Sequence, residues 1–195
     1  MHRLTAPIRT AAALTAAAAV LTALTACTAL RPAATATVTI TAPTPATALT
    51  EPVRVIAVSD GDTIRIAPRD GGKAITVRLA GIDAPETVHP SKPVQCYGPE
   101  ASAHLKQTLA GQSVQLEYNP AGAGDRTDRY GRTLAYIWQS GQLLNYQLVA
   151  AGYARAYTYN PRQPGPHAET LRIAQQQAHT AGRGLWNPGG CNGRI

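Results

Sequence analysis

Three short runs in which apolar and polar residues alternate, "VRVIAVS", "IRIAP" and "ITVRLAGI", follow one another with only a short Asp-Gly-containing turn between each pair. Period-2 alternation is the pattern of a strand with one face buried, and Asp-Gly is a strong signal for a tight hairpin. The chain therefore commits early to an antiparallel three-strand meander beginning near Glu51. "GPEASAHLKQTLAG" then reads as a helix, with Pro99 at its start, Glu100 in its first turn and Gly111 at its end. "SVQLEYN" and "GRTLAYIWQ" read as two further strands around the loop "PAGAGDRTD". "QLLNYQLVAAG" and "HAETLRIAQQQAHTAG" read as helices closed by Gly152 and Gly182. Three strands, a helix, two strands and two helices make an α+β domain. A helix between the third and fourth of five strands is the order of an OB-fold five-stranded β-barrel with three helices, a fold whose exposed face commonly binds oligonucleotides. With no Phe in 195 residues, the core must rest on Val, Ile, Leu, Ala and the eight Tyr.

The sequence upstream of Glu51 has a different character. His2, Arg3 and Arg9 precede "TAAALTAAAAVLTALTAC", the layout of an export signal with a basic start, a short apolar middle and small residues at the cut. Residues 1–26 are therefore expected to be removed. The run stops at Cys27, whose setting "LTAC" resembles a bacterial lipoprotein signal in which that cysteine is lipidated; the alternative is an ordinary signal peptide with a cysteine nearby. The mostly Ala and Thr segment is a poor membrane span. Residues 27–50, dominated by Thr, Ala and Pro and without an acid, are expected to form an extended tether, residues 51–190 the folded domain, and residues 191–195 a tail carrying Cys191. The expected location is the outer face of the cell membrane, or the medium. Setting Cys27 aside leaves Cys96 and Cys191, an even pair that an exported chain is expected to oxidise, the alternative being two buried thiols. Formal net charge is +7, of which Arg3 and Arg9 belong to the leader, so a modest basic excess remains for an anionic partner.

Carboxylates in turns carry the candidate chemistry. Asp60 is explained by its Asp-Gly turn, but nothing in turn chemistry asks for Asp62. Asp83 and Glu86 flank Pro85 just past the third strand. Two aspartates, Asp62 and Asp83, with a neighbouring main-chain carbonyl would offer hard oxygen ligands to Ca2+, and Glu86 could then orient or deprotonate a water. The spacing is not that of an EF-hand loop, and no His or Cys cluster suggests zinc. Arg78, between core-facing Val77 and Leu79, and Arg132, at the start of a strand, are guanidiniums able to hold two phosphate oxygens each. Strict alternation would set Arg78 and Asp83 on opposite faces unless Gly81 breaks the strand.

"SDGDTIRI", "VRLAGIDAPETVHPSK", "CYGPEASA", "DRTDRYGRTLAYIW" and "AYTYNP" follow one another in the order and near-spacing of the staphylococcal (micrococcal) nuclease family, a resemblance extending from about Val53 to Trp186. The resemblance implies an OB-fold enzyme that hydrolyses DNA and RNA with Ca2+. It implies Asp62, Asp83 and the main-chain carbonyl of Ala84 as calcium ligands, Ala84 standing where the founding member has Thr. It implies Glu86 as general base or water-orienting group, and Arg78 and Arg132 as contacts to the scissile phosphate. Lys92, Arg129, Tyr130, Tyr157 and Tyr159 match substrate-contacting positions, although core packing explains the last two tyrosines comparably well. The "APRDGGKA" turn and "NPAGAGD" loop are longer than in the founding pattern. The expectation is a monomeric calcium-dependent nuclease with no protein partner, making 3′-phosphate products. The alternative is a non-catalytic nucleic-acid-binding OB module on the cell surface, which would not need all five of Asp62, Arg78, Asp83, Glu86 and Arg132. An oligosaccharide-binding surface protein would not need the arginine pair.

Overall fold

The structure, a computed structural model, describes residues 42–68, 70–89, 91, 93–119 and 126–195. The expected leader and Cys27 lie outside the described residues. Among the described residues no helix is long and apolar enough to cross a membrane.

The elements run β1 (Val53–Asp60), β2 (Thr63–Ala67), β3 (Ile75–Leu79), β4 (Ile82–Asp83), α1 (Gly98–Leu109), β5 (Ser113–Glu117), β6 (Thr133–Gln139), β7 (Gln142–Leu143), α2 (Leu144–Ala151), β8 (Arg155–Ala156) and α3 (Ala168–Thr180). The five expected strands are β1, β2, β3, β5 and β6. The main sheet is ordered β3-β2-β1-β5-β6-β7, and a parallel pairing of β3 with β6 closes it into the OB-fold barrel. β1 makes closure possible. Its register against β2 slips between Val55 and Ala57 and again between Val58 and Asp60, and such bulges bend a strand around a small barrel. The short strands β4, β7 and β8 have no sequence pattern of their own, because two residues are too few for a period.

Alternation holds where it was expected. Val77 and Leu79 are fully buried with Arg78 between them, and Ile64 and Ile66 are buried around exposed Arg65. In β6 both faces are buried. Tyr136 and Trp138 lie outside the barrel under His167, at ring-centroid distances of 4.7 and 6.0 Å. Buried Asn145 of α2 accepts the Ile137 N–H at 2.8 Å and donates to the Ala80 carbonyl at 2.7 Å, pinning the helix across the barrel end.

One fully buried carboxylate organises the side opposite in sequence to the meander. Glu117 Oε1 accepts the backbone N–H groups of Ala46 and Thr47 at 2.7 and 3.2 Å, and Oε2 accepts Trp138 Nε1 at 2.6 Å and His167 Nε2 at 2.8 Å. Burial, with the charge of Glu117, pushes the nearby Tyr136 phenol up to about 12. Thr50 continues the attachment, donating its N–H to the Leu116 carbonyl at 2.9 Å, while Leu49 packs on the core. The reading of residues 27–50 as a tether outside the fold therefore stops short, since Ala46 to Thr50 lie along β5. A Pro-, Thr- and Ala-rich composition conceals this because most of the binding is through backbone groups, with the Thr47 and Thr50 hydroxyls adding one hydrogen bond each.

Cys96 and Cys191 form a disulfide with Cα atoms 5.7 Å apart, closing a span of 95 residues. It joins the segment entering α1 to the C-terminal tail.

Two outcomes are expected. Glu117→Ala strands four donors and should lower unfolding stability by about 3–5 kcal/mol, measured in urea, with faster proteolysis before Thr50. Reduction of the disulfide should cost about 4 kcal/mol on the chain-entropy account, read as a fall in the denaturant midpoint of the reduced protein.

Candidate active site

The candidate residues arrive at the site by three routes, each set by a turn. Between β1 and β2, Gly61 lets the Asp60–Asp62 turn press against the β4 end, for a Cβ there would sit 2.7 Å from the Ala84 Cβ and 3.0 Å from that of Ala101. Between β3 and β4, Gly81 adopts φ +76°, in the left-handed region that glycine enters without strain. A side chain there would also meet Leu171 and Tyr136. That break in the strand brings Asp83 to the same side as Arg78. Between the 126–132 segment and β6, Asp128 Oδ1 accepts the Tyr130 and Arg132 N–H groups at 2.9 Å, setting the turn that launches Arg132.

These turns converge on a cleft of about 620 Å3 bordered by Asp60, Asp62, Asp83 and Glu86 and by Arg78, Arg132 and Arg155. Arg78 is its hub. Nη1 donates to the carbonyls of Leu79 and Ile82 at 3.0 and 2.9 Å. Nη2 lies 2.9 Å from Asp62 Oδ2 and 3.1 Å from Asp83 Oδ1. Asp62 is buried and accepts the Ala84 N–H at 2.8 Å and the Thr63 hydroxyl at 3.1 Å. Burial pushes its carboxyl up to about 7; the charges of Asp60 and Asp83 add to the rise, against the opposing pull of Arg78 and the Ala84 N–H.

Glu86 is held at the cleft edge by its backbone. Its N–H donates to Gln95 Oε1 at 2.6 Å, and its carbonyl accepts the Gln95 N–H at 2.8 Å. Its Oε1 accepts the Thr87 and Val88 N–H groups, both at 2.9 Å, and among the described residues Oε2 accepts no hydrogen bond. Arg132 is clamped through Nε to Asp128 Oδ2 at 2.7 Å and reaches Thr63 Oγ1 through Nη1 at 3.4 Å. Burial works to raise the Asp128 carboxyl, but hydrogen bonds from Arg132 and Tyr130 and the Arg132 charge together hold it below the ordinary range.

Tyr130 is 65 % exposed, with the guanidiniums of Arg129 and Arg132 at 4.8 and 5.4 Å from its ring. Tyr157 and Tyr159 are 49 % and 84 % exposed, so core packing does not account for them. Neither borders the cleft itself; both follow β8, which does through Arg155. Lys92 lies outside the described residues. Sequence reading passed over Asp128, Gln95 and Arg155. Asp128 had a local signal, an acid four residues before an arginine across a Gly turn. Gln95 had none, because its bonds to Glu86 depend on the course of an irregular loop, and Arg155 had none, because its partner is set by long-range register.

The donor set suits a hard divalent cation. Asp62 and Asp83 converge on one nitrogen of Arg78, at 2.9 and 3.1 Å, and their carboxylates offer hard oxygen ligands at the cleft wall. Among the described residues no group of three or more His, Cys, Asp or Glu side chains is arranged to hold a metal by itself. A cation here would complete its shell with main-chain oxygen and water.

Comparison with known proteins bears directly on this cleft. Residues 76–188 match the family model described as staphylococcal nuclease homologue. That span includes Arg78, Asp83, Glu86 and Arg132, and Asp62 precedes it. The chain is 44 % identical over 134 residues to the thermonuclease of Staphylococcus hyicus, covering 69 % of this chain and 75 % of the relative. It is 42 % identical over 129 residues to the thermonuclease of Staphylococcus intermedius, covering 66 % and 72 %. Against the endonuclease YncB of Bacillus subtilis (strain 168) the identity is 37 % over 132 residues, covering 67 % and 59 %. With the barrel closed as expected and the site residues gathered at one end of it, the chain belongs to the staphylococcal nuclease family.

Proposed function

We propose that the protein is a calcium-dependent, largely sequence-nonspecific nuclease that hydrolyses the phosphodiester bonds of DNA and RNA to 3′-phosphate products. The observation that carries the reading is the meeting of Asp62 and Asp83 on one nitrogen of Arg78, in a cleft shared with Glu86 and Arg132. The names of the relatives, thermonuclease and endonuclease, support it.

Asp62, Asp83 and the Ala84 carbonyl would hold the ion, which when bound supplies positive charge against the phosphate. Glu86 accepts a proton from the attacking water, its Oε1 fixed by two backbone N–H groups so that the carboxylate keeps one orientation. Water oxygen bonds to phosphorus, the P–O5′ bond breaks, and the leaving oxygen takes a proton from solvent. Arg132 donates hydrogen bonds to the phosphoryl oxygens as charge gathers there, and Arg78 joins it through the Nη2 hydrogens that an ion on Asp62 and Asp83 would free from those carboxylates. Lys92, Arg129, Tyr130, Tyr157 and Tyr159 hold the flanking nucleotide by charge and by stacking, which tolerates any base. The protein acts as a monomer outside the cytoplasm, exported by its leader and anchored through a lipid on Cys27.

The oxidised protein should be incubated with single-stranded DNA, duplex DNA and RNA in calcium, in magnesium and with chelator, and product ends read by mass. Fragments with 3′-phosphates that appear in calcium and vanish with chelator are expected. Tight binding without cleavage by folded protein would move the chain to the binding-module class. Glu86→Ser and Arg132→Gly should each lower kcat by about two to four orders of magnitude with circular dichroism unchanged, and near-normal turnover by either would remove the assigned roles.

A further inference from the structure

We propose that Arg155 binds a second phosphate of the substrate strand, the one next to the scissile phosphate on the side leading to Tyr157 and Tyr159. This inference rests on the nuclease reading above.

Donor bookkeeping among the cleft arginines points there. Arg78 makes four contacts through its two terminal nitrogens, as many as those nitrogens have hydrogens, and its side chain is only 14 % exposed. Arg132 is tied to Asp128 and Thr63. Arg155 touches one group among the described residues, Asp83 Oδ2, at 3.3 Å, and its side chain is 39 % exposed. All but one of its N–H donors are thus unengaged among the described residues, in a cleft whose other walls already carry the candidate chemistry. A guanidinium with free donors at the wet edge of a cleft suits a phosphate diester, which it can meet with two parallel hydrogen bonds.

Its placement is rigid. Arg155 is the direct cross-strand partner of Asp83 in the antiparallel β4–β8 pair. The Ala156 N–H donates to Gln175 Oε1 of α3 at 2.8 Å, and the Tyr157 N–H to the Gly81 carbonyl at 2.9 Å. The same short segment therefore fixes Arg155 beside Asp83 and sends two exposed tyrosines onward from it. A strand whose scissile phosphate lies on Arg78 and Arg132, and whose bases stack toward those tyrosines, passes its adjoining phosphate by Arg155.

The test compares Arg155→Gln and Arg155→Lys with the unaltered full-length oxidised protein on two substrates. One is octathymidylate; the other is the thymidine dinucleotide, with a single phosphodiester and no flanking phosphate. Arg155→Gln should lose about tenfold more kcat/KM on octathymidylate than on the dinucleotide, chiefly through KM. The slope of log kcat/KM against log salt on octathymidylate should become shallower by about 0.7, one phosphate contact on a single strand. Arg155→Lys, which keeps the charge, should recover most of the salt slope. An equal loss on both substrates, carried by kcat, would overturn the inference and make Arg155 a residue that merely positions Asp83. No loss on either would overturn it too, with cleavage by the unaltered protein leaving the nuclease reading in place. Failure of the unaltered protein to cleave would overturn that reading and this inference together.

Discussion

A guanidinium in the wall of a small barrel is a costly side chain to place, and the geometry of this domain's open end follows from how Arg78 is accommodated. Its neighbours Val77 and Leu79 belong to the core, so its backbone cannot move outward to water. Burial of the charge is tolerated because its terminal N–H groups are met by two carbonyls and two carboxylates. The carbonyls belong to Leu79 and Ile82, on either side of the Gly81 turn, so the arginine fastens the hairpin that presents Asp83. The carboxylates come from two different turns. One side chain thereby couples the barrel strand, the β3–β4 turn and the β1–β2 turn, and a shift in any one of them is felt by the others.

Glu117 performs the corresponding task where the sheet is covered by other elements. Two side chains, Trp138 of β6 and His167 just before α3, and two backbone groups upstream of β1 end on one carboxylate. Both charged hubs work by the same rule: an ion is acceptable inside when its hydrogen-bonding capacity is filled, and the groups that fill it become fixed relative to one another. Their surroundings differ in a telling way. Glu117 is sealed, with no opening to solvent, whereas the carboxylates around Arg78 border a cleft and retain room for ligands.

Most of the barrel was legible because its strands obey a local rule. Val77, Arg78 and Leu79 alternate as a wall strand should, and Gly61 and Gly81 stand where turns are needed. The barrel's closure was legible only as an element order, since the β3–β6 pairing joins residues far apart in sequence. Asp62, Asp83, Glu86, Arg78 and Arg132 were legible as chemistry in excess of what turns and strands require, and the structure gathers all five in one cleft. Arg155 was not, because a two-residue strand has no period and its partner is decided by where α3 and Gly81 hold the backbone. Ala46 to Thr50 escaped for another reason. Composition reports side chains, and most of what binds this segment to β5 is peptide N–H and carbonyl.

The reciprocal pair of hydrogen bonds between Glu86 and Gln95 acts as a stitch across the base of a loop. Thr87 and Val88, whose N–H groups hold Glu86 Oε1, belong to the fixed part, and the stitch limits how far a change in the course of the rest reaches the Glu86 backbone. Closing a loop twice as long would add only about 0.6 kcal/mol of entropy, so the intervening segment can lengthen at little thermodynamic penalty. The fold thus contains an exchangeable cassette beside a fixed carboxylate. Variation in how a strand enters the cleft can accumulate there while the position of Glu86 stays constant.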